Sequence, residues 1–263
     1  MQDAVLMIHG LGGTQDEFGP LPLRLKKAGF KVYSLVLPGH GTKPEDLNHV
    51  VMENWLEAVA EQYDEVKSRF ETVHVIGMCL GSLLACELVK LKNHMNGKLV
   101  MLAPTVFLDG WSMPWYHALR IVHYIFPPLR RWIRIPEEEP FGIKNERLRA
   151  IVKKRFARGD SFHYGWMPLQ SVWQLDRLRA RVQKKLSTVR CKTLIIHARE
   201  DEFSSVQSAT ALQNGIGSDK SDVVILANSY HMVCIDNDKE LVANSIMCFL
   251  GGENPHAISA LNP

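Results

Sequence analysis

Cys79 stands in Gly77-Met78-Cys79-Leu80-Gly81, where an apolar run from Val73 to Ile76 gives way to a helix-compatible stretch. A thiol in such a turn lies beside the unpaired N–H groups of a helix start, which favour negative charge, and the flanking glycines leave room for the turn and for close helix–strand packing. An unperturbed thiol is only a few per cent ionised near neutral pH. A helix end and a neighbouring imidazole are therefore the physical route from thiol to nucleophile. Taken by itself, a cysteine at the start of a buried helix reads as a small core residue, so its meaning depends on what the rest of the chain brings to it.

The elements around it alternate. Short, β-branched apolar runs at Val5 to Ile8, Val32 to Leu37, Val73 to Ile76, Leu99 to Leu102, Thr193 to Ile196 and Val223 to Leu226 read as strands buried on both faces. Helical patterns at about 16–28, 53–69, 80–92, 203–214 and 239–250 have crossover length. The expected fold is α/β, a doubly wound and mostly parallel sheet. The rhythm breaks between Pro104 and Arg190, a stretch rich in Trp, Tyr, Met, Arg and Pro with helical patterning. Residues 1–103 and 191–251 are accordingly expected to form the core, 104–190 a helical cap inserted into it, and 252–263 a loosely held tail.

Four further motifs, with the Cys79 turn, resemble the α/β-hydrolase family, in particular its small bacterial carboxylesterases and monoacylglycerol lipases. They are His9-Gly10-Leu11-Gly12-Gly13-Thr14 after the first strand, Pro38-Gly39-His40-Gly41 after the second, His197-Ala198-Arg199-Glu200-Asp201-Glu202, and Ser229-Tyr230-His231 after the last strand. The resemblance implies a triad in the chain order nucleophile, acid, histidine: Cys79, Asp201 and His231, each just past the end of a strand, where open parallel sheets place their sites. His231 would take the thiol proton and later activate water, Asp201 would fix its tautomer, and the backbone N–H groups of Leu11 and Leu80 would bind the oxyanion. The departure is cysteine where serine is usual. Dienelactone hydrolases and polyhydroxyalkanoate synthases share the fold and use cysteine in the same box, so the elbow is compatible with catalysis.

Glu200 and Glu202 flank Asp201, and position in the motif favours Asp201. His9 and His40 belong to loop motifs and are expected to hydrogen-bond rather than react. Cys234 reads as packing. His117, His123 and His163 have no carboxylate or cysteine at ligand spacing, so neither metal nor cofactor is assigned. Trp111, Trp115, Tyr116, Ile125, Phe126 and Trp166 are expected to build an apolar ceiling, with Met113, Trp115 and Trp166 taken as substrate-binding residues.

A net charge of +3 with 22% charged residues gives no strong field, which argues against nucleic acid as a partner. No apolar run approaches the roughly 18 residues of a membrane span. The start of the chain lacks a secretory pattern, and five cysteines without CxxC spacing suit reduced thiols, so a cytoplasmic protein is expected. The expected partner is a small acyl ester or thioester. Hydrolysis through a thioester acyl-enzyme is the first reading, acyl transfer to a non-water acceptor the second, and a decayed site that only binds ligand the third.

Overall fold

The computed structural model describes residues 2–113, 124–125, 127–158, 163–217 and 219–255. Among these, the strands are β1 (Ala4–Ile8), β2 (Lys31–Ser34), β3 (Val73–Met78), β4 (Leu99–Leu102), β5 (Arg134–Pro136), β6 (Trp166–Pro168), β7 (Thr193–Ala198) and β8 (Ser221–Leu226). The helices are α1 (Leu21–Lys27), α2 (Met52–Lys67), α3 (Leu80–Leu91), α4 (Pro127–Trp132), α5 (Glu146–Arg158), α6 (Leu169–Val182), α7 (Gln207–Ile216) and α8 (Lys239–Gly251). Six strands form one sheet in the order β2-β1-β3-β4-β7-β8, every pair parallel. The chain turns one way from β1 to β2 and the other way from β3 onward. The C-terminal ends of β1 and β3 therefore flank the switch point, where parallel sheets open a crevice.

Period-two alternation divides the core. Ala4, Leu6, Ile8, Val73 and Val75 face one layer with α2, α3, α6 and α7. Val5, Met7, Ile76 and Met78 face the other, with α1 and α8. Helix α2 buries Met52, Trp55, Leu56, Val59, Tyr63 and Val66, steps of three, four and seven residues that keep one stripe on the sheet. Each such side chain contributes about 1.5–3 kcal/mol when fully buried. Helix α3 is buried from Leu80 to Val89 because α2 and α6 cover the face that β3 and β4 do not. Its one carboxylate, Glu87, pairs with Lys90 and accepts from Arg181 Nε at 2.8 Å.

Four local departures from the sequence pattern have identifiable causes. The second strand ends at Ser34 rather than Leu37, because the Leu37 N–H is drawn out of the ladder to His9 Nε2 at 3.1 Å. The first helix breaks at Gly19 (φ 50°) and Pro20 into a short 3-10 turn, Gln15–Phe18, and α1. Helix α7 starts at Gln207, since the N–H groups of Phe203 and Ser204 go to Asp201 Oδ1 and that of Ser205 to Asp109. Finally, the inserted segment is not wholly helical: β5 and β6 form an antiparallel pair of three residues each, with a proline ending each strand. The helical segments between β4 and β7 form the cap. No helix of the described residues is long and apolar enough to cross a membrane.

Candidate active site

Strand β3 delivers Met78, and the chain then turns through Cys79 at φ 53°, ψ −117° before α3 begins at Leu80. A side chain in this region costs on the order of 1–3 kcal/mol. The frame enforces it: a Cβ on Gly77 would lie 2.1 Å from the Gly81 carbonyl oxygen, and one on Gly81 would lie 2.0 Å from that of Ile8. Cys79 N–H donates to Leu102 O at 2.9 Å, extending the β3–β4 ladder into the turn. The thiol is half-buried, 3.9 Å from the Thr105 hydroxyl. Cys86, Cys191 and Cys234, by contrast, are buried thiols whose ionisation burial pushes upward, to about 12 for Cys86 and about 11 for Cys191.

Asp201 follows β7 by three residues and is buried. Its Oδ1 accepts from the N–H groups of Phe203 and Ser204, and its Oδ2 lies 2.7 Å from His231 Nδ1. Burial opposes its charge, but the His231 ring and these N–H groups hold the carboxyl below the usual carboxylate range. For His231 burial also acts first, favouring the neutral ring. The Asp201 charge and then Cys79 overcome it and raise the imidazole well above its ordinary value. His231 Nε2 is buried and has no hydrogen-bond partner among the described residues. The thiol thus raises the ring both by charge and by a weak hydrogen-bonding contact that falls short of ordinary geometry.

Of the three adjacent carboxyls it is Asp201 that meets His231. Glu200 is exposed and pairs with Lys144. Glu202 is buried and accepts the His231 backbone N–H at 3.2 Å; burial pushes it up to about 7, and its Oε1 has no partner among the described residues. The histidine ring is packed edge-on against Phe203 at 5.1 Å, and the next residue, Met232, donates its N–H to Gly142 O of the cap.

The loop after β1 closes the other side. His9 is held between Gly10 O and Leu37 N–H, and burial lowers its pKa to about 4. His40 stacks on Tyr164 at 6.2 Å, and burial lowers it to about 3. Both are thus neutral loop-fastening rings at physiological pH. Two residues that the sequence pattern does not single out also belong here: Glu17, whose carboxylate accepts Gly10 N–H at 2.7 Å, and Tyr164, whose N–H donates to Gly12 O at 2.8 Å. Glu17 reads as one more polar residue of a surface turn, and only the glycine spacing opposite it hints at buried company.

A cavity of about 470 Å³ is lined by Thr42, Glu137, Phe141, Phe156, Tyr164 and Trp166 together with His163; Cys79, Asp201 and His231 are not among its lining residues, and its nearest link to the site is His163, which packs on Gly12. Of the residues expected to bind substrate, Trp166 is thus at a cavity wall. Met113 does not line it; it is half-buried in a turn closed by its N–H to Gly110 O. Trp115, Tyr116, Phe126, His117 and His123 lie outside the described residues. Trp111 and Ile125 are exposed, and the Trp111 Nε1–H donates to Glu200 O, so neither forms a ceiling. The wall is also less apolar than expected. Glu137, which burial raises to about 7, and His163 contribute polar groups among the aromatic rings.

The chain is 27% identical over 238 residues to a thermostable monoacylglycerol lipase of Bacillus sp. (strain H-257), covering 90% of this chain and 86% of the lipase. It is 24% identical over 248 residues to a carboxylesterase of Bacillus subtilis (strain 168), covering 94% and 92%. Its backbone superposes on the crystal structure of Paleococcus ferrophilus monoacylglycerol lipase with a TM-score of 0.78 at 19% identity, over 94% and 93% of the two chains. Residues 1–238 match the sequence model of the Hydrolase_4 family, serine aminopeptidase S33. With that match, the parallel sheet and the turn at residue 79, the chain belongs to this α/β-hydrolase family, with cysteine at the nucleophile elbow.

Proposed function

We propose that the protein hydrolyses a carboxylic ester or thioester with a largely apolar acyl group, through a thioester acyl-enzyme on Cys79. One observation carries this reading: a strained, accessible Cys79 beside a histidine whose Nδ1 is held by a buried carboxylate and whose Nε2 is left unpartnered among the described residues. The thiol proton passes first to Nε2, where the Asp201 charge favours it, and the sulfur then attacks the carbonyl carbon while the carbonyl π pair moves onto oxygen, facing the N–H groups of Leu11 and Leu80. Collapse expels the alcohol or thiol, which leaves with the proton from His231. A water then gives its proton to Nε2 and attacks the thioester; the acid departs and Cys79 is restored as thiol. Asp201 keeps the proton-bearing Nδ1 turned away from the nucleophile and stabilises the imidazolium between the steps.

The substrate side is supported by the two Bacillus relatives, a monoacylglycerol lipase and a carboxylesterase, and by the aromatic part of the cavity wall. Acyl transfer uses the same first half-reaction and differs only in the acceptor. We further infer that the protein works in a reducing compartment, the cytoplasm, since its five cysteines are all free. The test is to incubate the protein with an activated short-chain ester and with an acyl thioester, with and without an added thiol, alcohol or amine, while intact mass spectrometry follows Cys79. A transient adduct with release of free acid is expected. Product only in the presence of acceptor would make it a transferase, and ligand retention with no adduct would leave a binding protein.

A further inference from the structure

Among the buried carboxyls that the chemistry above does not use, Glu17 is the one that holds the loop beside Cys79. Glu17 is 4% exposed, and its Oε2 accepts the Gly10 N–H at 2.7 Å. The same carboxylate fills the space beneath Gly13, where an added Cβ would come within 1.6 Å of Oε1. A Cβ on Gly10 would sit 3.0 Å from Glu17 Oε2 and 3.2 Å from the Cys79 Cβ, so carboxylate and thiol flank a single residue of the loop. From the opposite side the cap leans on the next residues. His163 Nε2 is 3.7 Å from Glu17 Oε1, its Cε1 would lie 3.1 Å from a Cβ on Gly12, and Tyr164 N–H donates to Gly12 O.

A purely architectural explanation fits poorly. The 3-10 turn that contains Glu17 is already capped by Thr14, whose hydroxyl accepts Asp16 N–H. Burying a carboxylate costs stability that an apolar side chain would not. The loop it holds carries glycine at 10, 12 and 13, and such a chain has few side-chain contacts to fix its peptide planes. Burial pushes the Glu17 carboxyl above its ordinary value, and in either protonation state an oxygen remains to accept the Gly10 N–H. By engaging Gly10 N–H it fixes the His9–Gly10 peptide, the plane immediately before the one that carries the Leu11 N–H.

We propose that Glu17 is a positioning residue for the hydrolase site: braced by His163 of the cap, its carboxylate holds Gly10 and thereby aims the Leu11 N–H at the carbonyl oxygen under attack. Oxyanion stabilisation is then tied to a seated cap. The inference rests on the Cys79 reading proposed above.

The test compares Glu17→Leu, Glu17→Gln and His163→Leu with the parent protein. Single-turnover acylation by an activated ester gives the rate at saturation and the apparent binding constant separately. Affinity for an alkyl aldehyde gives a second readout. The Cys79 sulfur bonds to the aldehyde carbon, the carbonyl π pair moves to oxygen, and the thiol proton passes to that oxygen, which sits where the oxyanion would form. Since losing one oxyanion donor costs about 10²–10³ in rate, misaiming one should slow acylation by roughly 10- to 100-fold in Glu17→Leu. Ester binding should change little, and the aldehyde should weaken in parallel with the rate. Glu17→Gln, whose amide oxygen still accepts from Gly10, should recover most of the loss. His163→Leu should show a smaller loss in the same direction. If Glu17→Leu does not fold, Glu17→Thr, too short to reach Gly10, takes its place with the same expectation. Acylation and aldehyde affinity at parent levels in these Glu17 variants overturn the inference, as does a loss confined to ester binding or a Gln variant no better than Leu. A parent protein that never forms the Cys79 adduct overturns the proposed function and this inference with it, whereas normal parent acylation with an unaffected Glu17→Leu removes this inference alone.

Discussion

Strand β1 buries all five of its residues and pairs in parallel on both edges, whereas the paired strands of the cap are three residues long and α5 buries a single side chain, Val152. The core fixes its candidate reactive groups through hydrogen bonds that involve their backbone or that of neighbours: Cys79 by a ladder bond to Leu102, Asp201 by two N–H groups, His231 by its own N–H to the Glu202 carboxylate. The cap contributes side chains instead, rings and two titratable groups around a cavity. Under the proposed function the chemistry is held by the part of the molecule that cannot shift by an ångström without loss of packing, and the choice of substrate falls to the part whose surfaces can change without disturbing the sheet.

That division can be broken most directly in the core. Cys79→Ala should remove the acyl adduct and lower turnover by about a million-fold, the scale seen when a nucleophile is deleted from a triad, while leaving the thermal midpoint nearly unchanged. Retained adduct formation would sink the assignment of Cys79. Cys79→Ser should hydrolyse activated esters if His231 is placed for oxygen as well as sulfur; a folded but inert serine variant would show a site tuned to a thiolate.

Asp201→Asn should cost about 10⁴ in single-turnover rate, the scale of the corresponding change in a serine-protease triad, through loss of the tautomer and of imidazolium stabilisation. His231→Ala should cost more. Glu200→Gln should cost almost nothing, and a reversal between Glu200 and Asp201 would reassign the acid.

Glu202 offers a smaller effect with a definite sign. Its folded pKa of about 7 stands above the ordinary 4.5, so the folded protein binds the proton more tightly. The stability this contributes is complete below the unfolded value and is lost as pH rises from about 4.5 through 7. Glu202→Gln keeps an acceptor for His231 N–H and removes the buried charge. It should stabilise the protein by about 1–3 kcal/mol at about pH 8 and have little effect at about pH 4.5, read from urea unfolding at the two pH values. An equal shift at both would mean that the carboxylate is not the cause.

The smallest effect belongs to the cap. Each methylene added to the acyl chain should gain at most about 0.8 kcal/mol, close to fourfold in kcat/KM, until the cavity is full. Trp166→Ala should move the length at which the gain stops. A profile that is flat from acetyl upward would show that the cavity receives the polar side of the substrate, Glu137 and His163 being its contacts, rather than the acyl chain.

The same division governs how much can be read from the residues in order. The elbow is legible because Gly77 and Gly81 bracket Cys79 between a buried run and a helix, a local pattern with a local cause. Asp201 and His231 are reached through the family resemblance, whose order of nucleophile, acid and histidine they match just past two strands. Glu17 cannot be placed in either way, since its partners are Gly10 in the preceding loop and His163, far along the chain, and nothing in a polar turn announces burial. Strand ends escape a local reading where a distant side chain takes the N–H, as His9 does from Leu37. The cap is read by composition alone. Composition counts aromatic residues but does not say which of them face outward, as Trp111 and Trp132 do.

Gly77 and Gly81 have a further consequence for how such a protein can change over generations. Because backbone from β1 and α3 fills the places where their side chains would be, those two positions are closed to substitution, while position 79 between them already carries a side chain in the required backbone conformation. Cysteine and serine codons can differ by a single base. A lineage can therefore exchange the reacting atom, sulfur for oxygen or back, in one mutational step that leaves the surrounding architecture untouched, and selection can act on the chemistry of the nucleophile separately from the inheritance of the fold.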